Sequence, residues 1–138
     1  MHPNPALGFE LVALDELLSA SDVVSLHLRL SPETMSFLGK EQFQKMKRGA
    51  ILVNTARGAI VDEAAMLEAL NGGQIAGAGL DVFATEPLPA GHPLTRMENV
   101  VLTPHCAGVT PEVLEAGLAL SIANVWSFLN GDPKNVVG

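Results

Sequence analysis

Apolar residues fall in two alternating kinds of run along this chain. Val23-Val24-Ser25-Leu26-His27-Leu28, Ala50-Ile51-Leu52-Val53-Asn54, Ile75 to Phe83 and Asn99-Val100-Val101-Leu102-Thr103 are short and rich in β-branched and aliphatic side chains, and each predicts a strand. In the first of them, Val23 to Leu28, the apolar residues are nearly continuous, as expected when both faces of a sheet are covered. Between them the apolar positions recur at helical spacing. Asp15 to Ala20 predicts a short helix with Leu14, Leu17 and Leu18 on one face. Lys40 to Arg48 predicts another with Phe43 and Met46 inward; Lys45, Lys47 and Arg48 complement its C-terminal dipole, and Gly49 supplies a left-handed stop. Asp62 is an N-cap for a helix from Glu63 to Leu70, with Met66, Leu67 and Leu70 as its core face and Gly72-Gly73 at its end. Thr110-Pro111-Glu112 opens a long helix to Leu129, with Leu114, Leu118, Ile122, Val125 and Leu129 on one stripe. That stripe reads as a core face or as a surface for a second copy, with Trp126 as anchor. Residues 1–9 read as irregular, Leu11-Val12 as a very short strand, Ser31 to Thr34 as a turn, and 84–98 as a loop with three prolines.

Strand–helix alternation with long crossovers implies an α/β fold with a parallel sheet. In such a sheet the carboxyl ends of the strands share one edge, where ligands bind. Three polar residues follow strands: Arg57 in Asn54-Thr55-Ala56-Arg57-Gly58, Glu86 in Gly79 to Pro87, and His105 in Thr103-Pro104-His105-Cys106-Ala107-Gly108. Singly they read as a surface arginine, a solvated carboxylate and a structural histidine. Together they can converge on that edge. The small residues Ala76 to Gly79 permit close approach of a helix or ligand to the third strand. His27 reads as structural near a strand end, and His2 and His92 as solvated loop residues. His105 and Cys106 do not suggest a metal site, since neighbours on an extended chain point apart.

Composition narrows the class. The 138 residues suit one domain, 1–138. Net charge is −7 with no basic run, which argues against nucleic acid. No apolar stretch is read as reaching membrane-span length, and the N-terminus lacks the order of a signal peptide. The single cysteine, Cys106, reads as a small buried apolar residue and fits a reducing, cytoplasmic setting.

From about Leu7 to Val136 the chain resembles the nucleotide-binding region of the D-isomer-specific 2-hydroxyacid dehydrogenases, which include D-lactate, D-glycerate and phosphoglycerate dehydrogenases and glyoxylate/hydroxypyruvate reductases. The segments that carry the resemblance are Leu14 to Leu18, Ser25-Leu26-His27, Asn54 to Gly58 with Val61-Asp62-Glu63, Gly77 to Pro87, and Thr103-Pro104-His105 with Ala107-Gly108. The resemblance implies NAD or NADP as cofactor and a small 2-oxo or 2-hydroxy acid as substrate. It implies His105 as general acid/base, Glu86 as the carboxylate that holds its ring and raises its pKa, and Arg57 as the grip on the substrate carboxylate. Asp81 would sit at the nicotinamide. Leu28, Thr55, Ala56, Arg57, His105, Ala107 and Gly108 would line the cofactor. A guanidinium grips a carboxylate through two hydrogen bonds, and a charged imidazole neutralises charge that builds on a carbonyl oxygen.

The chain departs from the family pattern in two places. It has no Gly-x-Gly-x-x-Gly turn, since Gly72-Gly73 and Gly77-Ala78-Gly79 have other spacings, and Arg29 stands where the family usually has proline. The expectation is a partial Rossmann-like sheet without the first two strands and the glycine-rich loop, the strand that follows that loop being absent or lost near His2-Pro3. The strand from Val23 would be a bare apolar edge. The chain would then oligomerise, through that edge or the C-terminal helix, or complement a separate N-terminal piece. Alone it is expected to turn over little or no substrate.

Overall fold

The computed structural model describes residue 8 and residues 10–136. The expectations for residues 1–7 and 9, including a strand near His2-Pro3, lie outside the described residues. The chain forms two compact units, Met1–Pro104 and His105–Gly138.

The first unit is an α/β layer. Its elements are α1 (Leu14–Ala20), β1 (Val23–Leu26), α2 (Lys40–Lys45), β2 (Ala50–Asn54), α3 (Glu63–Asn71), β3 (Ile75–Leu80) and β4 (Val100–Leu102). All neighbouring strands are parallel, in the order β1-β2-β3-β4. Pairing places Leu26 beside Asn54, Asn54 beside Leu80, and Leu80 beside Leu102. These four residues end their strands, so the carboxyl ends finish in one row across the sheet. Two expected strands therefore run too long. Val23–Leu28 stops at Leu26 and Ile75–Phe83 at Leu80, because beyond Asn54 the central neighbour β2 turns out of the sheet. Leu11-Val12 forms no strand.

Burial along β1 and β2 alternates, so one face of the sheet is covered and the other is not, which corrects the two-sided expectation. Val24, Leu26, Leu52, Ala78 and Leu80 face a core completed by Leu18, Phe43, Met46, Met66 and Leu70 from the three helices. Val23, Ile51 and Val101 lie exposed on the opposite face. Among the described residues β1 has a single strand neighbour, as expected of an edge.

The helix ends show which local signals decide. Asp62 caps α3, accepting the Ala65 N–H at 3.0 Å. At the other end Gly73 takes φ +65° and the Gln74 N–H bonds back to Ala69 O, a Schellman turn. α2 ends three residues before the expected Arg48. Met46 leaves the helix with extended backbone and enters the core, and the Lys47 N–H bonds to Leu18 O. Gly49 (φ +83°) then turns the chain into β2 rather than capping the helix. Lys45, with Asp15 and Glu41, and Lys40, with Glu68, make surface ion pairs between neighbouring helices or turns. Gly77 serves the sheet itself: a Cβ there would lie 2.6 Å from Asn99 O, where β4 approaches β3.

The second unit holds α4 (Pro111–Leu129), capped by Thr110, whose hydroxyl accepts the Val113 N–H at 3.3 Å. Gly131 (φ +75°) and the Asp132 N–H to Ser127 O bond close its end in a second Schellman turn. None of its residues is buried, so within this unit the stripe from Leu114 to Leu129 is not a core face. A second expectation also needs correction. At 19 residues α4 is long and apolar enough to cross a membrane by length and composition alone. Its charged residues, Glu112 and Glu115, both lie in its first two turns and leave the remainder without charge.

Candidate functional site

The turn after β2 is built by a buried amide. The Asn54 side chain is 1% exposed. Its Nδ2 donates to Arg57 O at 3.0 Å and its Oδ1 accepts the Ala56 N–H at 3.0 Å. Both ends of the amide are thus satisfied, and Thr55, Ala56 and Arg57 are fixed in a tight turn at the rim. Arg57 is exposed, and its Nη1 donates to Ala56 O at 2.6 Å. Among the described residues no carboxylate pairs with its guanidinium, which leaves donors for a ligand.

Gly58 follows because nothing larger fits. A Cβ there would lie 2.0 Å from Phe83 C and 2.3 Å from Phe83 O. The loop after β2 therefore lies directly against the loop after β3. In that second loop the Phe83 N–H donates to Glu86 Oε1 at 2.9 Å, so the Glu86 turn folds back on the residue that abuts Gly58. Arg57 and Glu86, far apart in sequence, are carried on touching loops at one rim. Asp81 is 3% exposed and ties three strand ends together. Its N–H donates to Asn54 O at 3.0 Å, and its carboxylate accepts the hydroxyl of Thr103 at the end of β4.

A cavity of about 630 Å³ opens beside this turn, lined by His27, Leu28, Arg29, Leu30, Thr55, Ala56 and Arg57. Four of the expected cofactor-lining residues, Leu28, Thr55, Ala56 and Arg57, thus line one hollow. Two arginines and no carboxylate line it, in a chain of net charge −7. His27 is exposed, with Nε2 2.9 Å from Ser25 Oγ, rather than packed as expected.

His105, Ala107 and Gly108 belong to the second unit. His105 adopts φ +53°, a left-handed conformation that costs a non-glycine residue energy and is concentrated at functional sites. The Val109 N–H to Cys106 O bond, at 2.9 Å, closes the turn that contains Ala107 and Gly108. Cys106 is exposed rather than buried, because the segment after β4 leaves the sheet for this turn instead of extending a strand. No group of three or more His, Cys, Asp or Glu among the described residues could hold a metal.

Two structural contributors escaped the sequence reading. Asn54 was read as a strand end and the head of the Arg57 segment, with no role of its own, although asparagine before a Thr-Ala-Arg-Gly segment is itself a turn signal. His92, read as solvated, has a side chain only 15% exposed and bonds to Glu63. Its local signal was a histidine before proline at a helix start, which the loop composition masked.

Residues 2–107 match the family model described as the D-isomer specific 2-hydroxyacid dehydrogenase, NAD binding domain. The chain belongs to this family. It is 49% identical to the glyoxylate reductase of Korarchaeum cryptofilum over 132 residues, covering 95% of this chain and 40% of that protein. A D-isomer specific 2-hydroxyacid dehydrogenase from Xanthobacter autotrophicus Py2, solved with NADPH and MES, superposes with TM-score 0.82 at 40% identity, covering 91% of this chain and 51% of that one. A D-lactate dehydrogenase from Lactobacillus jensenii, solved with NAD+, gives TM-score 0.81 at 36% identity, over 92% and 42%. The chain spans about two fifths of the length of the curated relatives it matches. The matched residues correspond to the C-terminal part of the family's NAD-binding domain.

Proposed function

We propose that residues 1–138 supply one nucleotide-binding-type domain of an NAD(P)-dependent oxidoreductase that interconverts a small 2-hydroxy acid and its 2-oxo acid. The observation that carries this reading is the crossing at Gly58, which sets the Arg57 turn against the Glu86 loop at the strand rim and beside the cavity. When bound, NAD or NADP supplies the redox chemistry. Leu28, Thr55, Ala56 and Arg57 fit part of such a cofactor, since they line an open hollow with a basic wall; Asp81, Ala107 and Gly108 are assigned to it by family likeness. In this reading Arg57 grips the substrate carboxylate with the donors that no protein carboxylate occupies. By family likeness His105 delivers or accepts the proton at the substrate oxygen, and Glu86 is the carboxylate of the catalytic set. The names of the relatives point to glyoxylate and hydroxypyruvate as first substrates to try. A cytoplasmic setting fits the single cysteine, Cys106.

A second reading is favoured by the exposed apolar face of Val23, Ile51 and Val101. It is a non-catalytic half-domain that binds another copy or a separate N-terminal piece and holds cofactor weakly. Titration with NADH, followed by Trp126 fluorescence and calorimetry, separates the two, together with turnover of glyoxylate and hydroxypyruvate. The oxidoreductase reading expects binding heat, and turnover that Arg57→Ala and His105→Ala abolish. Neither heat nor turnover, in this chain or in the chain joined to a glycine-rich strand–turn–helix, would leave the second reading standing.

A further inference from the structure

The loop between β3 and β4 runs from Asp81 to Asn99 and contains only one short 3-10 turn, Pro93–Arg96. A connection of this length needs fixing if Glu86 is to hold one position. It is tied twice to a single segment, residues 57–63. The first tie is the contact of Gly58 with Phe83. The second is His92, whose Nε2 lies 3.1 Å from Glu63 Oε1, the first residue of α3. The Leu94 N–H donates to His92 Nδ1 at 3.4 Å, which leaves the ring proton on Nε2, directed to Glu63. Both side chains are largely shielded, at 15% and 32% exposure, and Leu94 beside them is 1% exposed. Segment 57–63 is itself rigid: Ile60 and Val61 are buried, and Val61 bridges to Leu38. Glu86 is slung between the two ties, and the segment they share begins with Arg57.

We propose that His92 and Glu63 form a clasp that fixes the Glu86 turn relative to Arg57, which makes His92 a positioning residue rather than a catalytic one. This rests on the oxidoreductase reading for its purpose, but its test does not. Amide exchange in the 138-residue chain, without cofactor or substrate, reads the Phe83 N–H that bonds to Glu86 Oε1. His92→Leu is expected to speed exchange at Phe83 about tenfold, the effect of losing one partly shielded hydrogen bond. Amides of Leu52 and Leu80 in the sheet keep their wild-type rates, and His92→Gln, which retains a donor toward Glu63, restores protection at Phe83. Unchanged exchange at Phe83 overturns the clasp. So does a uniform rise at Phe83, Leu52 and Leu80, which would show a general loss of stability, and so does failure of His92→Gln to restore protection. Absence of turnover bears only on the oxidoreductase reading.

Discussion

At the residue scale two side chains, one of them only a hydrogen, shape the rim. Gly58→Ala drives a methyl group into the backbone of Phe83, and backbone cannot step aside as a flexible side chain can. Overpacking of this kind costs about 1–3 kcal/mol. The expected outcome is a lower urea midpoint with an unchanged slope, and weaker cofactor binding if the loops carry the site. Asn54→Ala removes a buried amide that satisfies both the Ala56 N–H and Arg57 O. Leaving those groups without partners costs about 1–3 kcal/mol. Chemical denaturation measures the loss, and Asn54→Asp, which keeps the acceptor but not the donor, should recover part of it. These two positions also mark the limit of reading the chain alone. That Arg57 and Glu86 follow strands is visible in hydrophobic patterning. That their loops touch depends on a glycine whose neighbour is twenty-five positions away, and no local pattern encodes that distance.

At the scale of elements, capping residues were legible and helix ends governed by tertiary contacts were not. Asp62, Thr110 and Gly72-Gly73 act through bonds within a few residues, so sequence suffices to place them. α2 ends where Met46 finds the core and Lys47 finds Leu18 O, contacts made far along the chain. The start of α4 gives a pH prediction. The Glu112 carboxyl is held below the ordinary carboxylate range, chiefly by a backbone N–H, its own, and then by the Thr110 hydroxyl. A depressed folded-state pKa contributes stability that is present above the unfolded value and is lost as pH falls through the folded one. The first turn of α4 should therefore loosen on acidification through the carboxylate range, with little change above it. Amide shifts of Val113 followed by NMR against pH report this directly, and Glu112→Gln should flatten that titration.

At the scale of the whole molecule, the apolar surface left uncovered argues for association. β1 offers only four residues as an edge, and Val24 and Leu26 among them already face the core. α4 offers far more: Leu114, Leu118, Ile122, Val125 and Leu129 are each more than half exposed, with Trp126 at 62% beside them. Large contiguous apolar patches mark contact surfaces, and a stripe over about four turns of helix is of the size from which helix-pair interfaces are made. The stripe was visible in sequence as periodicity, but periodicity does not distinguish a face turned to its own core from one turned to a second chain; only burial does. The prediction is that the chain is larger than a monomer by light scattering at micromolar concentration. Leu118→Asp with Ile122→Asp should return monomer mass while leaving the helical signal in circular dichroism, since neither residue supports a core. Val23→Lys at the β1 edge should leave the mass of the assembly unchanged. If the wild-type chain scatters as a monomer, the stripe does not join copies of this chain; if Val23→Lys alone yields monomers, the edge of the sheet joins them instead.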